Sequence, residues 1–152
     1  MSILEQDPWY QTFRELIAVE VSTLREQTRH QVNQFWQQHH ETRATRPYNE
    51  WGCLGLRLRE RSVVFGIEWY VNSHYGPRGK RVVLSKAVTL AVDRSAKLAA
   101  VAHKLKGWEL ELAQTLEPQC TVVRRQLDEL VKMNHRAQVY TQREPKLQNN
   151  VL

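Results

Sequence analysis

The apolar residues of this chain change their spacing twice. Trp9, Phe13, Leu16, Ile17, Leu24, Val32, Phe35 and Trp36 recur at helical intervals, which predicts one long helix within residues 1–42. Asp7-Pro8 marks its start, because Asp accepts free amide hydrogens and Pro fits the first turn. The stripe thins between Leu24 and Val32, and the helix is expected to fade near His40. Glu41–Glu50, with Pro47 as a breaker, reads as a loop.

The period then shortens to two. Leu54, Leu56 and Leu58 alternate with Gly55, Arg57 and Arg59. Val63, Phe65, Ile67, Trp69 and Val71 alternate with Val64, Gly66, Glu68, Tyr70 and Asn72. Two such runs around a short polar break predict a β-hairpin. Placing Arg59 opposite Ser62 sets Leu58 against Val63, Leu56 against Phe65 and Leu54 against Ile67, with both apolar sets on one face. Glu60-Arg61 makes a poor two-residue turn, since neither residue favours positive φ; a four-residue loop Arg59–Ser62 keeps the same register. On the other face this register puts Gly55 opposite Gly66 and Trp51 opposite Tyr70. Paired glycines leave bare backbone, read first as a seat for a helix and second as a bed for a polyanion. Asn72–Arg81 reads as a loop from its Gly-Pro and second Gly, and Arg81–Leu84 as a short third strand.

Helical spacing returns after Asp93, which is placed to cap a helix running through Lys106 with Ala96, Ala99, Ala100 and Ala102 as good formers. Gly107 weakens that helix. Leu112, Leu116, Cys120, Val123, Leu127, Leu130 and Val131 predict a last long helix, which Pro118 must kink or restart. The polar tail from Thr141 is expected to fray. The fold class is therefore α+β: a small antiparallel sheet, a hairpin with a candidate third strand, flanked by long N- and C-terminal helices. It forms a single domain over 1–152, divided into 1–42, 51–88, 93–140 and the tail 141–152.

Composition narrows the setting. At 152 residues and 41% hydrophobic, one folded domain with a sizeable core is expected. No stretch approaches the ~20 apolar residues of a membrane helix, and MSILEQDPWY lacks a signal-peptide pattern. Two cysteines, Cys53 and Cys120, imply no disulfide framework, so a reducing cytoplasm is the expected location.

Charge is unevenly spread. Residues 51–107 hold eleven Lys or Arg against three Asp or Glu, residues 1–50 five against seven, and residues 108–152 six against six. The resulting +8, −2 and 0 return the net +6 and point to a polyanion, most often nucleic acid. Within the basic third, Ser73–Arg81 gathers His74, Tyr75, Arg78, Lys80 and Arg81 beside two glycines and a proline. Cations can pair with phosphate there and Tyr75 can stack on a base. Arg57, Arg59 and Arg61 join them from the neighbouring strand and turn. The candidate DNA-binding set is thus Arg57, Arg59, Arg61, Tyr75, Arg78, Lys80 and Arg81, against the plainer reading of a solvated hairpin loop. Lys97, Lys104 and Lys106 fall on a separate helix and read as solubilising charge. GPRGK lacks the spacing of a nucleotide-phosphate loop.

Other chemistry is thin. His39-His40 point about 100° apart on a helix and make a poor metal pair. No spacing supports a metal site, a cofactor or a catalytic constellation. Arg124-Arg125 read as part of a solvated helix face, with phosphate contact as the lesser alternative. The two long apolar stripes serve as core or, less simply, as a homodimer seam.

WGCLGLRLR (Trp51–Arg59), GIEWYV (Gly66–Val71), Ser85-Lys86, Trp108-Glu109 and Val123-Arg124-Arg125 stand in an order that resembles the MobI family of auxiliary conjugative-transfer proteins of mobile bacterial elements, such as plasmids. The resemblance implies a non-enzymatic factor that acts at the transfer origin and helps a relaxase, or the wider relaxosome, to start processing. The favoured reading is accordingly a DNA-binding accessory protein. The alternatives are an adaptor whose basic sheet grips an acidic protein partner, and a general nucleic-acid-binding regulator. A small nuclease or transferase fares worst, since the basic third offers only Glu60, Glu68 and Asp93 as acids.

Overall fold

The computed structural model describes residues 7–143. Helix α1 spans Pro8–Ala44, strands β1, β2 and β3 span Leu54–Glu60, Phe65–Tyr75 and Val82–Ala87, a single-turn helix α2 spans Leu98–Val101, and helix α3 spans Gly107–Arg143. The Asp7 carboxylate accepts from the Trp9 amide at 3.0 Å with Pro8 in the first turn, as the sequence predicts. The start of α1 meets the end of α3 (Trp9 on Tyr140), and its end meets the start of α3 (His39 on Trp108), so the two long helices run antiparallel.

The strands form an antiparallel sheet in the order β1-β2-β3. One face packs on the helices: Leu54, Leu56, Phe65, Ile67, Trp69 and Val71 are buried against residues such as Phe35, Leu116 and Cys120. Phe35 meets Trp69 edge-on at 5.2 Å. The Trp36 indole donates to the Leu56 carbonyl at 3.0 Å, which ties α1 to the free edge of β1.

The hairpin register differs from the expected one. Leu56 pairs with Trp69, Leu54 with Val71 and Leu58 with Ile67, each four residues further along β2. An even slip keeps the apolar sets on one face, so alternation alone could not exclude it. The turn decides: the Arg61 amide donates to the Val64 carbonyl at 3.0 Å, and Val63 is left exposed. Gly55 therefore faces Tyr70, Gly66 faces Arg59, and Trp51 lies outside the strand.

Further expectations are corrected. Helix α1 continues to Ala44 rather than fading at His40. Asp93 caps no helix; it accepts from the Ser95 amide and hydroxyl in a tight hook where Arg94 takes φ 71°. The alanine-rich run forms only α2 and a 3₁₀ turn, Ala102–Lys104. Helix α3 begins at Gly107 and its helical span runs through Pro118 as one element. Thr141 belongs to that helix and is buried, whereas the rest of the expected frayed tail lies beyond the described residues.

Two buried carboxylates lock the sheet to α3. Glu117 accepts from the Trp69 indole, the Ala96 amide (2.8 Å), Thr121 (2.8 Å) and Arg124 (2.6 Å). Arg124, only 3% exposed, also donates to the Ile67 and Arg94 carbonyls at 3.1 Å. This corrects the solvated reading of Arg124, although Arg125 is exposed. Glu109 accepts from the Leu54 amide at 2.7 Å and the Lys106 amide at 3.0 Å, 3.7 Å from His39 Nε2. Gly52, at φ 82°, sits against that carboxylate; a Cβ there would fall 2.1 Å from its carbon. Burial pushes both carboxyls up, but the neighbouring His39 imidazole and hydrogen bonds from backbone amides for Glu109, and hydrogen bonds from Arg124 and the Ala96 amide for Glu117, hold each below its ordinary range. Burial drives the Cys120 thiol up to about 12.

Candidate nucleic-acid interface

The candidate residues separate into two groups of unlike character. The first lies on the solvent-facing side of the sheet. Because β1 pairs Arg57 with Glu68, that single carboxylate meets Arg57 at 3.0 Å, Arg59 at 3.4 Å and Arg61 at 3.9 Å. Glu68 is only 14% exposed, whereas the Arg59 and Arg61 side chains are each 60% exposed, so the carboxylate is sheltered but its partners are largely solvated. Three guanidiniums against one carboxylate leave two positive charges rather than three. Arg57 also stacks over Tyr70 at 4.7 Å. The Tyr70 ring in turn covers Gly55, where a Cβ would fall 2.1 Å from a ring carbon. The expected glycine pair is thus split: Tyr70 closes over Gly55 and the Arg61 side chain lies over Gly66, so neither a helix nor open backbone occupies the patch.

The second group stands on a projecting arm. Strand β2 is longer than its partner: β1 pairs with it only as far as Val71, while β3 pairs from Tyr70 to Tyr75. Residues 72–75 and 82–85 therefore form a two-stranded ribbon beyond the end of β1. The segment expected to be loop from Asn72 is strand up to Tyr75. Gly76 at φ 100° and Gly79 at φ 89° turn the chain, closed by the Lys80 amide on the Pro77 carbonyl at 2.9 Å. Arg78, Lys80 and Arg81 are exposed at this tip and have no ion pair among the described residues. Tyr75, 57% exposed, stands at its base.

The structure brings Arg57, Arg59 and Arg61 together, and separately Tyr75 with Arg78, Lys80 and Arg81. Three cations outside the candidate set also matter here. Lys97 stands just before α2, Lys104 ends the following 3₁₀ turn and Lys106 precedes α3, so all three sit in the connector beside the arm rather than on one separate helix. Among the described residues no group of three or more His, Cys, Asp or Glu could hold a metal ion, and His39 turns inward while His40 is exposed. No helix among them is long and apolar enough to cross a membrane.

No protein of curated function and no solved structure matches the chain. A family model described as MobI protein matches residues 24–138, about three quarters of its length, taking in most of α1, the whole sheet and nearly all of α3. The chain belongs to the MobI family, a family of accessory proteins of conjugative transfer.

Proposed function

We propose that this protein binds DNA at the transfer origin as a non-enzymatic accessory factor and helps a relaxase to begin processing there, in the cytoplasm. The observation that carries the reading is the arm: three cations without an ion pair among the described residues, Arg78, Lys80 and Arg81, at the end of a two-stranded ribbon with Tyr75 exposed beside them. A two-stranded ribbon is narrow enough to enter a major groove, and cations at its tip then meet phosphates on the groove walls. Arg57, Arg59 and Arg61 contribute less, because Glu68 already engages them.

A mobility-shift titration of a transfer-origin duplex against random duplex, at two salt concentrations, tests this. Binding that weakens steeply with salt is expected; no shift with either duplex at low salt sinks the reading. A second reading, an adaptor for an acidic protein, is favoured by Val82, Val83 and Leu84, which are each at least half exposed along β3. It predicts capture of the relaxase by the arm with no shift of either duplex.

A further inference from the structure

The cations around the root of the arm form a second surface. Two clefts meet there at Lys104, which lines both. One, of about 420 Å³, lies between the helix-facing side of the arm and α2, and is lined by Tyr75, Lys86 and Lys97 among others. The other, of about 490 Å³, runs along the end of β1 and is lined by Arg43, Tyr48, Trp51, His74 and Lys106. No carboxylate lines either cleft. Among the described residues Lys86, Lys97, Lys104 and Lys106 have no ion pair, in contrast to the arginines gathered on Glu68.

The Trp51 ring is held in place. The Trp51 indole donates to the Arg46 carbonyl at 3.0 Å, and Arg43 stacks over its ring at 4.3 Å. Tyr48 lies 5.1 Å from Trp51 and is 78% exposed. The Cys53 thiol donates to the Lys104 carbonyl at 3.4 Å, which fixes the residue where the clefts meet.

Cations interleaved with aromatic side chains suit one kind of polyanion. In a duplex the base faces are stacked on one another, so phosphates and groove edges are offered but no base face. An unpaired strand offers phosphates and base faces together, and each base stacked on an aromatic ring adds to affinity without regard to sequence. We propose that the two clefts form one tract for single-stranded DNA, with phosphates on Lys86, Lys97, Lys104 and Lys106 and bases against Tyr48, Trp51 and Tyr75. That the polymer is DNA rests on the function proposed above; that it is single-stranded comes from the clefts.

Fluorescence anisotropy with labelled oligo-dT and with a labelled duplex separates the two ideas. Lys97→Ala/Lys104→Ala is expected to weaken oligo-dT binding and to flatten its log–log salt slope by roughly 0.7 for each phosphate no longer neutralised, with the duplex slope unchanged. Tyr48→Ala, at an exposed position, is expected to weaken oligo-dT binding on the order of ten-fold with no change of slope, because stacking releases no counterions. Unchanged oligo-dT binding in both variants overturns the tract. So does an equal loss for oligo-dT and duplex in the lysine variant, which would mark a general loss of positive charge. Tighter binding of oligo-U than of oligo-dT overturns the assignment to DNA. Failure of the arm is read elsewhere, in a duplex slope that Arg78→Ala/Lys80→Ala/Arg81→Ala leaves unmoved.

Discussion

The outer face of the sheet and the tip of the arm each present three cations, and their surroundings differ. Arg57, Arg59 and Arg61 converge on Glu68, and one of them also stacks on Tyr70. Arg78, Lys80 and Arg81 stand on a glycine turn and make no ion pair among the described residues. A phosphate approaching the first group must compete with a sheltered carboxylate, whereas one approaching the second displaces only water and counterions. Counting basic residues treats the two as equal. Partner geometry ranks them, with the arm above the face.

The largest expected effect undermines both surfaces at once. Glu117→Gln leaves the buried Arg124 guanidinium without its carboxylate and is expected to cost about 3–5 kcal/mol of stability, read as a fall in the denaturant midpoint. Its pH dependence has a definite sign. The folded-state carboxyls of Glu109 and Glu117 lie below their ordinary 4.5, so their contribution is complete above about pH 4.5 and is lost as pH falls through the lower folded values. Thermal unfolding followed from pH 6 to pH 3 should show this acid limb, and Glu117→Gln should flatten it. A mutant as stable as the parent at pH 6 would contradict the role given to this pair.

Next comes the tip. Arg78→Ala/Lys80→Ala/Arg81→Ala is expected to weaken duplex binding on the order of 100-fold or more at low salt, with melting unchanged. Smaller, and opposite in sign, is the release of the face. Glu68→Gln frees three guanidiniums and should tighten duplex binding on the order of ten-fold, at a stability cost of roughly 1 kcal/mol or less. Weaker binding in this variant would mean that Glu68 holds the arginines in a binding geometry, and the ranking of face and arm would fail. The smallest effect is expected from Arg57→Ala/Arg59→Ala in the otherwise unaltered protein, a loss of roughly three-fold or less in an anisotropy titration.

Much of this architecture is legible in the residues. Asp7-Pro8 announces α1, the two helical stripes give the long helices, and the period of two gives the hairpin. The neutralised face is not, and one cause accounts for it. In the expected register Glu68 would stand opposite Cys53, away from Arg57; in the real one it stands opposite Arg57 itself. Period-two patterning cannot distinguish registers that differ by an even number of residues, so the wrong pairing hid the ion cluster without disturbing the core. The arm was hidden differently. Asn72, Ser73 and His74 are polar and run into Gly76-Pro77, a loop signature, yet they pair across to Ser85, Leu84 and Val83. Burial of Arg124 left no local signal, since its partner Glu117 is seven residues away and its other acceptors are backbone carbonyls from β2 and the Asp93 hook.

The most direct test sets the two cation groups against each other on one duplex. The salt dependence of binding is measured for the parent, for Arg78→Ala/Lys80→Ala/Arg81→Ala and for Arg57→Ala/Arg59→Ala/Arg61→Ala. At roughly 0.9 per neutralised phosphate, the tip variant should lose about 2.7 from the log–log slope and the face variant clearly less than half of that. Equal losses, or a larger loss from the face, would contradict the claim that the arm is where this protein meets DNA.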